Sequence, residues 1–199
     1  MDLSTLMKNS QIQLKPFWVL STGVCFVYGL LIGVPSELNA YGELLSLLIA
    51  GPLHLGLCMY FLKITKGNTP SFFDLFKGFK PLLNALLLFF IINALTILGL
   101  LFLIIPGIIM SLGFSMSYYI LSENTEMSFS EALEKSWKLM DGNKMELFIL
   151  HLRFIPWYIL GLLFFVVGIF IVIPWQNLTI ANYYQELKNK SKQEGDHTS

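Results

Sequence analysis

The stretch NALLLFFIINALTILGLLFLIIPGIIMSLGFSMSYYIL, residues 84–121, runs for 38 positions without an acidic, basic or histidine side chain. As a single α-helix it would be about 57 Å long, at 1.5 Å per residue. A bilayer's hydrocarbon core is only about 30 Å thick and needs roughly 20 apolar helical residues to cross it. The stretch must therefore double back on itself. Pro106-Gly107 is the expected turn, because proline interrupts the helical hydrogen-bond ladder and glycine accepts turn geometry.

The same reading extends outward in both directions. Phe17 to Val34 is uncharged and too long for the apolar region of a secretory signal, so it is expected to remain as an anchor. A second run extends from Tyr41 to Leu62, with Glu43 at its edge and His54 inside. Leu147 to Gln185 resembles the opening stretch, interrupted by Arg153 and expected to turn near Val166 to Gly168. The expectation is an all-α, polytopic transmembrane bundle of about six helices arranged as three hairpins. A count of four or five stays open if the last stretch is one tilted helix. The bundle would occupy residues 16–187, between an N-terminal segment, 1–15, and a polar tail, 188–199. ILGLLF occurs at Ile97 to Phe102 and again at Ile159 to Phe164, which supports an internal repeat.

Composition agrees with this reading. The 199-residue chain is 55% hydrophobic and 13% charged, with a mean hydropathy of +0.65; soluble domains carry about 25% charged residues. Thirteen basic residues balance thirteen acidic ones, which excludes a broadly basic nucleic-acid-binding face. The two cysteines, Cys25 and Cys58, lie in apolar runs and form neither a disulfide framework nor a metal-ligand spacing.

The lysines orient the chain. All twelve fall at the N-terminus, in Lys63 to Lys80, in Lys135 to Lys144 and in the tail. The connections around Pro35 to Ala40, Ile105 to Gly107 and Val166 to Gly168 have none. Cytoplasmic loops accumulate Lys and Arg, so both termini are expected in the cytoplasm of a multi-pass inner-membrane protein. Trp18, Tyr60, Tyr118, Tyr119, Tyr183 and Tyr184 would then form an aromatic belt at that interface.

Two of the lysine-bearing loops read as short amphipathic helices in the headgroup plane. In Ser71 to Lys80, the phenylalanines and Leu75 oppose Asp74, Lys77 and Lys80. Ser128 to Met140 opens on a capping box, Ser128-x-x-Glu131. Phe129, Leu133, Trp137 and Met140 follow there at helical spacing.

Ionisable or strongly polar groups at membrane depth are functional candidates by default. Arg153, His151, His54 and Asn93 are the residues that fit, as a speculative polar intramembrane site. Arg153 lies about 10 Å into its helix, close enough for its guanidinium to snorkel to the headgroups. Pro156 frees the Leu152 carbonyl nearby. His54 follows Gly51-Pro52, a kink suited either to a packed neutral histidine or to a proton relay. Asn84, Thr96, Ser111, Ser115 and Ser117 read as interhelical glue. Ser21, Cys25, Gly29 and Gly33 form a small-residue face. No zinc, phosphate-loop or nucleophile-elbow motif occurs, and no cofactor or metal site is expected.

Several ordered segments resemble a bacterial integral-membrane family, domain of unknown function 975. They are Ala50 to Gly56, Phe73-Asp74-Leu75-Phe76-Lys77-Gly78-Phe79, Ile104-Ile105-Pro106-Gly107-Ile108, Glu131 to Ser136, and Met140-Asp141-Gly142-Asn143-Lys144. The likeness extends over about Leu14 to Leu187. It is looser toward the membrane portion of glycerophosphodiester phosphodiesterases. The resemblance implies a multi-helix inner-membrane protein and supplies no catalytic residues. Arg153-Phe154-Ile155-Pro156-Trp157 departs from the Ser-Phe-Ile-Gly-Trp pattern associated with that position.

The expected function is a non-enzymatic membrane protein that scaffolds, binds a partner or protects the bilayer, for instance against an antimicrobial peptide. Its expected partners are the lipid bilayer and a second copy or another membrane protein, with no nucleic acid. A small transporter or channel subunit is the alternative. A lipid-modifying enzyme is disfavoured, because no acid, base and nucleophile come together in the sequence.

Overall fold

The computed structural model describes residues 2–38, 40–163 and 167–196. Among these residues the chain is helical throughout its regular structure and has no strand. Helix α1 (Leu3–Leu14) passes through a short 3-10 turn into α2 (Trp18–Leu38), and α3 (Ala40–Thr65) returns beside it. A 3-10 segment, Phe72–Phe79, precedes the hairpin of α4 (Leu82–Phe102) and α5 (Ile104–Phe114). Short helices α6 (Ser117–Glu123) and α7 (Phe129–Leu139) follow. The last hairpin is α8 (Lys144–Leu163) with α9 (Val167–Asp196). The three expected hairpins are α2–α3, α4–α5 and α8–α9.

Five segments are long and apolar enough to cross a membrane: Leu3–Pro35, Tyr41–Thr65, Leu82–Phe102, Ile104–Glu123 and Lys144–Leu163. That pattern points to a multi-pass membrane protein. Helix α9 is a separate return limb packed on α8 and carries Gln176, Asn177 and Asn182, so it is not among the five. The last stretch is thus two helices. The turn expected at Val166 to Gly168 lies partly outside the described residues.

The turn in residues 84–121 comes at Leu103, three residues before the expected Pro106-Gly107. Leu103 is extended (φ −165°, ψ 149°) and caps both helices. Pro106 sits in the first turn of α5, where its missing N–H would have had no intrahelical partner anyway. Gly107 serves a different purpose. A Cβ on Gly99 would lie 2.8 Å from the Gly107 Cα, so the two glycines let α4 and α5 touch backbone to backbone. The last hairpin repeats the device: a Cβ on Gly161 would lie 2.8 Å from the Gly168 carbonyl carbon. Gly99 and Gly161 hold the same place in the two ILGLLF strings, so the sequence repeat marks a repeated close approach.

The aromatic belt is not observed for the tyrosines. Tyr60, Tyr118, Tyr119, Tyr183 and Tyr184 are buried, together with Phe61, Leu75, Met116 and Leu121, in one continuous core. The hydroxyls of Tyr60, Tyr119, Tyr183 and Tyr184 find partners inside the protein, which removes the reason to seek a wet interface. The apolar surface lies elsewhere, along α2, α4 and α8 and at the α4–α5 tip, where Leu101 to Ile105 are mostly exposed.

The segment Phe72–Phe79 departs from its expected orientation. Asp74 and Leu75 are fully buried, while Phe73, Phe76 and Phe79 are exposed. In a 3-10 helix, residues three apart eclipse one another, so these three phenylalanines form an outward row. The inward row approaches α3 at its backbone. A Cβ on Gly56 would fall 1.7 Å from the Leu75 carbonyl oxygen, and one on Gly78 would fall 2.0 Å from the Pro52 oxygen. Helix α7 keeps its expected sidedness only in part: Trp137, expected on the apolar face with Leu133 and Met140, is 39% exposed. Ser128 accepts the Glu131 N–H at 3.3 Å, Ala132 and Leu133 face inward, and Glu131, Glu134 and Lys138 face out. The small-residue face of α2 packs at Ser21 and Cys25, whereas a Cβ on Gly29 would meet nothing within 4 Å.

Gly56→Ala should separate the 3-10 segment from α3, since two backbones would have to move apart. The expected loss is about 1–3 kcal/mol, with new proteolytic susceptibility at Lys77 and Lys80. Unchanged thermal stability and an uncleaved loop would contradict the close packing.

Candidate functional site

The four residues singled out at membrane depth are not brought together. Asn93 on α4 donates to the Phe89 carbonyl of its own helix at 2.8 Å, and His151 on α8 donates likewise to the Leu147 carbonyl at 2.9 Å. Arg153 donates to the Ser4 hydroxyl at 2.7 Å, which fastens α1 to α8. Helix α1 covers α9 as well: the Trp175 indole donates to the Met7 carbonyl at 2.9 Å, and the Asn182 amide to the Ser10 hydroxyl at 2.9 Å. Residues 3–14 read as merely polar in sequence, yet Leu3, Leu6, Met7, Ser10 and Leu14 recur at helical spacing and all are buried.

His54 alone enters a polar cluster. Its Nδ1 lies 3.3 Å from the Tyr28 hydroxyl, and its ring meets Tyr118 edge-on at 4.5 Å. One turn further along α3, Cys58 is hydrogen-bonded to Tyr119. Tyr119 stacks on Tyr184 at 5.5 Å, and the Tyr184 hydroxyl donates to Glu123 at 2.7 Å. Adjacent tyrosines of α6 thus connect the middle of α3 to a carboxylate at the lysine-bearing end.

Glu123 is the meeting point of three elements. Lys66, just beyond α3, lies 2.8 Å from its Oε1; Lys188 and Tyr184 of α9 reach its Oε2, and Gln185 donates to Oε1 at 3.3 Å. Nothing in the local sequence around Glu123 signals this, because every partner is distant along the chain. A second centre forms at Asp74. Lys63 donates to both carboxylate oxygens at 2.8 Å, Lys77 lies 2.6 Å from Oδ1, and the Ser71 N–H donates to Oδ2 at 2.8 Å. Burial alone would raise the Asp74 pKa, but hydrogen bonds from Lys63, Lys77 and Ser71 outweigh it and hold the carboxyl below 3.8.

Ser136 repairs the break between α5 and α6. Its hydroxyl donates to the Gly113 carbonyl at 2.8 Å and accepts the Met116 N–H at 3.2 Å, two backbone groups that the interrupted helix leaves open. Gly142, at φ 72°, makes the sharp turn from α7 into α8. Of the expected interhelical glue, Asn84 does bridge elements, donating to the Met127 carbonyl at 2.9 Å. Ser115 bonds within its own turn, and the buried Ser117 hydroxyl has no hydrogen-bond partner. Thr96, Ser111 and Ser115 line a cleft of about 310 Å³ with His151, between the α4–α5 hairpin and α8. Among the described residues, no three His, Cys, Asp or Glu side chains converge to hold a metal ion.

Residues 85–191, just over half of the chain, match the family described as "Protein of unknown function (DUF975)", and the chain belongs to that family. The matched region includes Ile104 to Ile108, the Ser136 motif and the Gly142 turn. No curated protein matches the chain, and no solved structure matches it. The looser likeness to phosphodiesterase membrane portions finds no support in these comparisons.

Replacing Asp74 by Asn should cost about 1–3 kcal/mol at pH 7, the worth of a charge-assisted hydrogen-bond set. Because the folded carboxyl titrates below its unfolded value, its contribution is present above about pH 4 and is lost as the pH falls further. Melting curves between pH 7 and pH 2.5 should show the wild type converging on Asp74→Asn at the acid end. Parallel curves over the whole range would rule out an ionised, stabilising Asp74.

Proposed function

We propose that this chain is a multi-pass protein of the inner membrane with both termini in the cytoplasm, and that it acts as a non-enzymatic scaffold whose cytoplasmic face receives a partner. The observation that carries the reading is the Glu123 centre. It draws the ends of α3, α6 and α9 to one end of the bundle, where the lysines of three chain segments collect. Those lysines favour the cytoplasmic side. The opposite end consists of apolar hairpin tips closed by glycine contacts, with Leu101 to Ile105 exposed. A charged face above an apolar bundle suits docking better than chemistry, and the 3-10 segment, tied through Asp74 to Lys63 in the last turn of α3, adds three exposed phenylalanines.

A small transporter remains the second reading, favoured by the cleft at His151, Thr96 and Ser111. Hydroxyls and an imidazole facing an open space between hairpins can solvate a polar solute.

The test uses intact spheroplasts and a membrane-impermeant maleimide. A cysteine at Glu37 should be labelled from outside, whereas one at Gln193 should be labelled only after lysis. Labelling of both from the same side would overturn the topology. In the same membranes, a photo-crosslinker at Phe73 should yield a discrete protein adduct. Solute flux in proteoliposomes, with no adduct, would replace the scaffold by the transporter.

A further inference from the structure

Between α7 and the last turns of α9 lies a groove of about 730 Å³. Four lysines converge on it: Lys135 and Lys138 from α7, and Lys188 and Lys190 from α9. Two carboxylates, Glu123 and Asp141, also line it. Glu123 already pairs with Lys188 as well as with Lys66, and Asp141 lies 3.9 Å from Lys144, so Lys135, Lys138 and Lys190 are the lysines left to meet a ligand. Lys135 and Lys138 pair with Glu131 and Glu134 at i,i+4, but all four side chains are more than half exposed. Such pairs are weak and solvent-screened, so both ammonium groups are free to swing toward an incoming anion.

We propose that this groove binds a phosphate-bearing anion. Several compact ammonium charges surrounding one volume suit a multiply charged tetrahedral group, which lysines hold as point charges. The single arginine of the chain, Arg153, is engaged elsewhere with Ser4. The groove is also larger than phosphate alone, and Ile120, Met127 and Leu187 give it an apolar wall. The ligand is therefore a phosphate ester with an apolar or uncharged remainder. That chemistry has two sources, an anionic lipid headgroup or a soluble phosphate compound. The site does not depend on the scaffold reading, since either a scaffold or a transporter can carry it.

The experiment uses the full chain in phosphatidylcholine nanodiscs. In one arm inorganic pyrophosphate is titrated, and in the other about a third of the lipid is replaced by phosphatidylglycerol; both are read by thermal shift. Saturable stabilisation by pyrophosphate identifies a soluble phosphate source. Stabilisation by phosphatidylglycerol alone identifies the headgroup. In either case Lys138→Gln with Lys190→Gln should weaken binding by about tenfold per lysine, the scale of one charge-assisted hydrogen bond. Lys138→Arg should retain most of it. Both positions are exposed, so the unliganded melting temperature serves as the folding control. No stabilisation in either arm, or stabilisation equal in wild type and the double variant, would overturn the proposal.

Discussion

One carboxylate holds the lysine-bearing end of this protein together. Glu123 is largely withdrawn from solvent, at 14% side-chain exposure, and must be compensated there. It is compensated by two ammonium groups, a phenol and an amide drawn from residues 66, 184, 185 and 188. Because those partners lie on α9 and just beyond α3, satisfying one charge fixes the relative positions of three helices. The Asp74 centre acts in the same way on a smaller scale, pinning the 3-10 segment against α3. Polar satisfaction, rather than apolar burial, sets the register at this end.

The opposite end is organised by the absence of side chains. Apolar helices in lipid gain little from hydrophobic burial against one another, so close packing must hold them. Gly99 against Gly107 and Gly161 against Gly168 supply that contact in two hairpins. At the first hairpin, a Cβ on Gly42 would fall 2.0 Å from the Pro35 oxygen. The three hairpins therefore close by one physical device, with different chain geometry at each turn.

Much of the architecture was legible in sequence, because apolar length alone requires residues 84–121 to reverse. The repeat of ILGLLF pointed to a real structural recurrence. The Ser128 cap and the burial of Leu133 and Met140 also followed from local spacing. The failures share one cause, which is that local patterns do not reveal distant partners. Asp74 looked like a solvent-facing charge until Lys63 was brought to it from α3. The tyrosines looked like an interfacial belt until Ser21, Cys58 and Glu123 met their hydroxyls. Pro106 looked like the breaking point because proline breaks helices, yet it also starts them. Arg153 and His54 stood out as ionisable groups in apolar sequence, but their neighbours, Ser4 and Tyr28, come from segments that offered no signal.

The most direct measurement of the central constraint is amide hydrogen exchange on Glu123→Gln in nanodiscs. If Glu123 holds the three elements in register, protection should fall by about a hundredfold in residues 183–190 and 62–68, corresponding to roughly 2–3 kcal/mol of lost charge-assisted bonding. The α4–α5 hairpin, closed by Gly99 and Gly107, should keep its protection. Unchanged exchange at the ends of α3 and α9 would contradict the account, as would a uniform loss that included the hairpin.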